Sequence, residues 1–375
     1  MTTKQIIGKL HLWLGLASGL VVFILGVTGC MLAFEYELKE IIYKDRYFIH
    51  QTGTKRLPLR CLLNSAQQAL GKELNISGIT VYKDPARSAS VAVYRTDPQG
   101  WNYFNTVLTS KTVYINPYTA KVQYIENSKT EFFRLMVMLH YNLLLEQTGH
   151  QIVGWCTLIF IVLLISGLVL WWPKNKAAAK KRFAFRWNEN TRWKRKNYDL
   201  HNILGFYSLI IALIIALTGL VWAFSWFNNG MQWIVNGGFA TPAEKEYQSD
   251  RAMIKNAGVY DMILKDMQQR SPDELYSISI PKDREPAVYG YSQTESVGYK
   301  WTTFSYDQYT GKNLSTTFFK DRLRGDQLRN MNYYLHTGAI LSLPGKILAF
   351  IVSFICAGLP ATGFYIWIGR NRKKK

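Results

Sequence analysis

Four stretches of this chain are almost wholly apolar, near residues 10–34, 151–172, 202–224 and 347–368, and the sequence between them is polar and rich in aromatic residues. Each has about the 20 residues that a roughly 30 Å hydrocarbon layer needs at 1.5 Å per residue. None carries a charge in its interior. The pattern predicts four membrane-spanning helices.

Two of the spans have an overlong approach. His140 to Trp172 covers 32 residues, about 48 Å as a straight helix, which is more than a bilayer requires. Gly149 and the Ser342-Leu343-Pro344-Gly345 stretch supply breaks at the same place in both cases, and Pro344 is well placed to open a helix. Residues 134–146 and 330–341 are therefore expected to be short helices at the membrane surface, each delivering a histidine just before its span begins.

The longer polar segments pattern as two small α+β modules. Residues 59–71 read as a helix, followed by strand alternation near 77–83, 89–96 and 111–125, with a turn at Asn116-Pro117-Tyr118-Thr119. The second segment repeats the theme with a helix near 252–268, strands near 276–280, 286–292 and 301–306, and a turn at Asp307 to Gly311. Neither holds a nucleophile–base arrangement or a metal-ligand cluster, so both are expected to bind or to space.

Charge orients the spans. The 375 residues carry 45 Lys and Arg against 25 Asp and Glu, a net +20. Residues 1–9, 174–200 and 370–375 hold 17 Lys and Arg against two acids, Glu189 and Asp199. Residues 35–139 have 14 basic and 9 acidic side chains, and residues 225–335 have 13 of each. A basic excess confined to short loops and tails on one side is the positive-inside signature, not a nucleic-acid surface. Both termini and the 174–200 loop are thus expected in the cytoplasm, near anionic lipid headgroups, and both inserts are expected to be exported. Cys30, Cys156 and Cys356 lie in or at the ends of spans and only Cys61 lies in an insert, so no disulfide framework is expected. Val27-Thr28-Gly29-Cys30 resembles a lipoprotein cleavage box, but the apolar run continues past Cys30 and the pattern recurs at the third span, which argues against that reading.

The chain also repeats itself. Leu10-His11, Leu14-Gly15, Thr28-Gly29 and Ala33-Phe34 match Leu200-His201, Leu204-Gly205, Thr218-Gly219 and Ala223-Phe224 without a gap. Leu139-His140, Leu145, Gly149, Gly167 and Trp171 match Leu335-His336, Leu341, Gly345, Gly363 and Trp367 in the same way, and Tyr118 to Lys121 corresponds to Tyr309 to Lys312. Two repeats of two spans, with one orientation, imply a pseudo-two-fold axis along the membrane normal. That axis pairs His11 with His201 near one surface and His140 with His336 near the other.

Four of the six histidines occupy these equivalent positions. A lone histidine at a span boundary is usually an interfacial residue, but two symmetric pairs suit bis-imidazole ligation of haem iron, which needs one ring on each face of the macrocycle. Gly15 and Gly19 follow His11 at i+4 and i+8, and Gly205 and Ser208 follow His201 at i+4 and i+7, giving the clearance a flat macrocycle needs or simply close helix packing. Zinc would want three or four ligands at one depth, and a proton relay would use acids within the spans. Neither pattern is present. His50 and His150 have no histidine counterparts, His150 aligning with Lys346, and are expected to be interfacial. Trp171, Trp172 and Trp367 close their spans as an aromatic belt.

These features together resemble the PepSY-associated transmembrane family of bacterial proteins, which includes ferric-siderophore reductases of the inner membrane. The resemblance rests on Leu10-His11 with Leu14-Gly15, Thr28-Gly29, Leu139-His140, Gly167 with Trp171-Trp172-Pro173, Asp199-Leu200-His201 with Leu204-Gly205, Leu335-His336, Leu343-Pro344-Gly345 and Thr362-Gly363, and covers essentially the whole chain. Asn116 to Lys121 is similar to the closing hairpin of a PepSY module. The resemblance implies a cytoplasm-to-periplasm electron path through two b-type haems, His11 and His201 holding the inner one and His140 and His336 the outer one, with an Fe(III)-siderophore or another periplasmic acceptor reduced beside the outer haem. Some relatives carry a flavin or nicotinamide reductase domain. The 174–200 loop has no Gly-rich phosphate-binding turn, so the expected donor is a separate cytoplasmic flavin reductase, a soluble reduced flavin or a membrane quinol.

The expected fold is a membrane all-α four-helix bundle of two parallel two-helix repeats with two small α+β, PepSY-like extracytoplasmic inserts, in a bacterial inner membrane. Its parts are the first span (1–34), the first insert (35–133), an interfacial helix with the second span (134–173), a basic cytoplasmic loop (174–197), the third span (198–226), the second insert (227–329), an interfacial helix with the fourth span (330–369) and a basic tail (370–375). Two rival readings are a non-redox binding or regulatory protein acting on an envelope partner, and a siderophore or ion transporter. Neither requires histidines in register at both surfaces.

Overall fold

A computed structural model of the chain describes residues 1–50, 52–173, 175–176, 182–242, 245–250, 256, 258–281, 287–294 and 298–371. Parts of the expected basic loop (174 and 177–181), of the second insert's helix and strand (252–255, 257 and 286) and of the basic tail (372–375) lie outside the described residues. The chain divides into a helical unit, Met1–Glu35, Leu135–Gly230 and Met331–Lys375, and a sheet unit, Tyr36–Arg134 and Met231–Asn330.

In the helical unit, four segments are long and apolar enough to cross a membrane: Thr3–Leu32, Glu146–Trp171, Trp193–Ala223 and Ala339–Arg370. The first helix, α1 (Thr3–Leu32), opens on a capping box, with Thr2 and Gln5 each accepting the other's backbone N–H. Four of the helices that follow are α2 (Glu35–Ile42), α3 (Leu59–Leu70), α4 (Phe132–Asn142) and α5 (Glu146–Trp171). The third span starts as α6 (Trp193–Asp199), passes through a π-helical turn at Leu200–Leu204 and continues as α7 (Gly205–Ala223). The remaining long helices are α8 (Ser225–Val235), α9 (Val259–Arg270), α10 (Arg324–His336) and α11 (Ser342–Asn371).

α1 packs along both α5 and α11, and α7 packs along the same two. Leu164, Ala212, Val352 and Cys356 bury together between them. The backbones of α1 and α11 come closest at Gly26, where a Cβ would stand 2.7 Å from the amide nitrogen of Ala357. Large apolar side chains such as Leu20, Ile210 and Phe354 point outward and are exposed, as lipid-facing positions of a spanning helix are.

The two short helices carrying His140 and His336 are present as α4 and α10, but the break after α4 falls at Leu143 to Leu145 and not at Gly149. Leu143, Leu144 and Glu146 take positive φ of 54°, 61° and 48° there. Gly149 has a different task. A Cβ on it would lie 1.7 Å from the Asn142 carbonyl oxygen, so it lets the start of α5 press against the end of α4. Its repeat partner Gly345 meets the Gly338 carbonyl in the same way, at 2.0 Å.

The sheet unit departs further from expectation. Each insert does supply a helix and four strands: β1 (Gly78–Tyr82), β2 (Ala89–Thr96), β3 (Val107–Ile115) and β4 (Val122–Glu126), then β5 (Leu275–Ser279), β6 (Ala287–Gln293), β7 (Thr302–Asp307) and β8 (Asn313–Thr317). The two sets form one antiparallel sheet in the order β4-β3-β2-β1-β5-β6-β7-β8. The seam is β1 against β5, Gly78 opposite Ser279 through Tyr82 opposite Leu275. The cores merge too: Leu62 and Ala66 of α3 and Ile263 and Met267 of α9 bury against Ile79 and Val91 of one half and Ile278 and Val288 of the other. Asp261 of α9 even caps α3, accepting the Leu59 N–H at 2.7 Å. Burying a Leu or Ile is worth about 1.5–3 kcal/mol, so a single shared core gains what two half-size ones could not. The closing hairpins are equivalent: Asn116 Oδ1 accepts from the amides of Tyr118 and Thr119, and Asp307 Oδ1 from those of Tyr309 and Thr310.

Candidate functional site

The four registered histidines meet in two couples. His11 on α1 and His201 in the π turn have ring centroids 6.5 Å apart, with the planes at 90°. His140 at the end of α4 and His336 at the end of α10 have centroids 6.0 Å apart, at 76°. Along α1, Thr28 beside His140 follows His11 by 17 residues, which at 1.5 Å per residue puts the two levels roughly 25 Å apart.

Each ring is held by one Ser or Thr and one glycine, which are neighbours in sequence. Nδ1 of His140 lies 2.8 Å from the Thr28 hydroxyl, Nδ1 of His336 3.0 Å from that of Thr218, Nδ1 of His11 2.9 Å from that of Ser166, and Nδ1 of His201 2.9 Å from that of Thr362. The residue after each hydroxyl is Gly29, Gly219, Gly167 or Gly363, and a Cβ there would stand 3.3–3.6 Å from the Cε1 of the same histidine. A methyl group would already be in van der Waals contact with the ring at these positions, most tightly at Gly363, so side chains longer than alanine would press on it. Gly15 and Gly205 lie against the equivalent leucines Leu163 and Leu359, whose Cδ2 atoms would be 3.9 and 3.5 Å from an added Cβ.

The hydroxyls also assign the imidazole protons. Thr28 donates to the Ile24 carbonyl at 2.7 Å, Thr218 to that of Ile214 at 2.8 Å, Thr362 to that of Gly358 at 2.9 Å and Ser166 to that of Leu163 at 3.2 Å. A hydroxyl has one proton, so with that proton on its own helix it accepts from Nδ1–H. Nε2 is then the nitrogen with the free lone pair, and among the described residues none of the four makes a hydrogen bond through it. Two of the anchoring residues are themselves clamped: buried Asn332 donates to the Thr218 carbonyl and buried Asn197 to the Thr362 carbonyl, both at 3.0 Å. Both clamps belong to the second half; the first half has Met136 and Ile7 at the corresponding positions.

A metal bound by two imidazoles through bonds of about 2 Å sets their centroids roughly 6 Å apart. Both couples have that spacing. Among the described residues no group of three or more His, Cys, Asp and Glu converges on a point, so neither couple is part of a larger cluster of that kind.

The His140–His336 couple opens on a cavity of about 370 Å³ within the helical unit. Its walls are repeat partners: Gly26 with Ala216, Gly29 with Gly219, Val153 with Ala349, Phe160 with Cys356. They are chiefly apolar and small, which is what a flat hydrophobic ligand needs. Trp222 stands edge-on to His336 at 5.2 Å. Of the remaining histidines, His50 is exposed near Asp45, whereas His150 lines the cavity with its ring 4.7 Å from that of Tyr141. Trp172 is exposed as a belt residue should be, but Trp171 is buried and stacked on Phe206 at 3.8 Å.

The Ser and Thr anchors were within reach of sequence reasoning for three positions, since Thr28, Thr218 and Thr362 each precede a repeat glycine. Ser166 breaks the threonine pattern and shows its part only in three dimensions. No curated protein matches the chain. The model of one family, the PepSY-associated TM region, matches residues 9–370, nearly the whole chain. The protein belongs to that family.

Proposed function

We propose that the chain is a di-haem b oxidoreductase of a bacterial inner membrane that passes electrons from the cytoplasmic side to a periplasmic acceptor of the Fe(III)-siderophore class. In this reading the four spans form a bundle of two parallel repeats, both termini are cytoplasmic, and the sheet unit is periplasmic. The observation that carries it is the pairing of His11 with His201 and of His140 with His336 at centroid separations of 6.5 and 6.0 Å. Haem iron cycles between its ferric and ferrous forms and so accepts and yields single electrons.

The chain's residues supply the rest. His11 with His201 and His140 with His336 would hold the iron of the two haems. Ser166, Thr362, Thr28 and Thr218 hold the tautomer that ligation needs and raise ligand basicity through the Nδ1 hydrogen bond. Apolar span residues exclude water from the outer couple, keeping charge changes there in a low dielectric. The donor is a cytoplasmic flavin, a flavin reductase or a membrane quinol.

Transfer can be measured in proteoliposomes with a reductant trapped inside, a Fe(III)-siderophore outside and a Fe(II) chelator to collect the product. Fe(II) appears outside with the wild-type chain and not with His201→Ala or His140→Ala. Equal rates for all three chains would contradict the proposal.

A further inference from the structure

His150 stands out in the walls of the outer cavity. It lies in the first turns of α5, and its Nδ1 is shut off from solvent with no hydrogen-bond partner. Buried imidazole nitrogens are almost always paired, and one that is not points to a hydrogen-bonding partner that comes from elsewhere. The ring is fixed from both sides: Tyr141, the residue after His140, packs against it at 4.7 Å, and Gly149 beside it locks the start of α5 onto the end of α4. It therefore shares one rigid corner with a ligand histidine.

The remaining walls of the cavity sort the possible acceptors. They are mainly aliphatic and aromatic, and their polar members besides His150 are the two paired histidines, the Glu35 carboxyl and the hydroxyls of Tyr141, Thr157, Tyr333, Thr337 and Ser353. A porphyrin held between His140 and His336 presents hydrocarbon edges everywhere except at its two propionate carboxylates. A carboxylate is the strongest acceptor such a ligand offers, and hydrogen bonds to ionised groups are about twice as strong as neutral ones. Repeat register places Lys346, a cationic side chain, at the equivalent position of the other half.

We infer that His150 is the propionate anchor of the outer haem site, donating a hydrogen bond to one carboxylate and so fixing the rotation of the macrocycle between His140 and His336. This rests on the haem reading above. The imidazole that sequence alone leaves as an interfacial residue thereby becomes part of the ligand-binding wall.

The test compares protohaem with its dimethyl ester, which keeps the macrocycle and removes the carboxylate charges. The purified chain carrying His201→Ala, which has only the outer couple, is titrated with each, and binding is followed by absorption. The inference predicts that the free acid is preferred by about tenfold or more, the factor that a hydrogen bond to a charged group brings. Adding His150→Ala reduces that preference to near unity, and adding His150→Gln, which retains a donor, restores part of it. Binding of both porphyrins with the same preference with and without His150 would overturn the inference and leave the haem reading standing. Failure of the wild-type chain to bind protohaem at all would overturn both.

Discussion

The Thr28 hydroxyl accepts the Nδ1–H of His140 at 2.8 Å and sends its own proton to the Ile24 carbonyl at 2.7 Å. One side chain on α1 thus sets the tautomer of a ring on α4. Thr28→Val keeps the shape and removes the hydroxyl acceptor, at the cost of one hydrogen bond, about 0.5–1.5 kcal/mol. Loss of an outer-shell partner typically weakens ligand-site affinity 10–100-fold. The expected result is a chain that folds but loses outer haem during detergent washing, read as haem per chain, with Thr28→Ser close to wild type. Unchanged haem content in Thr28→Val would remove the hydroxyl from the account.

Gly26 lets α1 and α11 touch backbone to backbone, since a Cβ would come within 2.7 Å of the Ala357 nitrogen. Backbone atoms cannot swing aside as a side chain can. Gly26→Val should therefore part the two helices and destabilise the helical unit by roughly 1–3 kcal/mol, the usual cost of overpacking. Thermal unfolding in detergent checks it, with Gly230→Ala, at a position with open space around it, as the neutral control.

The seam of the sheet places Thr80 directly opposite Ser277, their hydroxyls 3.1 Å apart. Residues opposed across antiparallel strands have Cα atoms about 4.5–5.5 Å apart, within the range that a disulfide spans. The double variant Thr80→Cys with Ser277→Cys should cross-link in high yield on mild oxidation, seen as a mobility shift that a reductant reverses. Absence of the cross-link would mean that the two inserts fold as separate sheets.

Glu131 caps α4, accepting the N–H groups of Phe133 and Arg134 while Lys39 and the Tyr43 hydroxyl contact its oxygens. Burial pushes its carboxyl up, but those hydrogen bonds and the lysine outweigh it and hold it below the ordinary carboxylate value. Tyr43, raised to about 12 by burial and by Glu131, stays a donor throughout. A carboxyl depressed on folding contributes stability that is complete above its unfolded pKa and is lost as pH falls through the folded one. Wild type should therefore lose more thermal stability on acidification than Glu131→Gln does. Parallel pH profiles for the two chains would contradict this.

The spans and the histidine couples were legible because duplication writes them twice. A run of apolar residues needs no tertiary information, and two histidines at one repeat offset imply an axis before any coordinate is known. What stayed hidden depends on contacts between distant residues. The β1–β5 seam joins residues 197 positions apart, Thr80 and Ser277, and nothing in either strand names its partner. Strand β8 shows no in-and-out alternation, all five of its residues being half-buried, so it has no pattern to find. Gly149 looks like a helix breaker, yet its role is clearance for the Asn142 carbonyl, and the positive φ falls on leucines that favour helix. The π turn at His201 is equally silent, because the repeat aligns across it without a gap.

The most direct test of the account is a pyridine haemochrome assay on the purified chain, which gives haem type and number together. The account predicts two b-type haems per chain, falling to one in His140→Ala or His336→Ala and in His11→Ala or His201→Ala. A colourless preparation, or a haem content that these substitutions leave unchanged, would contradict it.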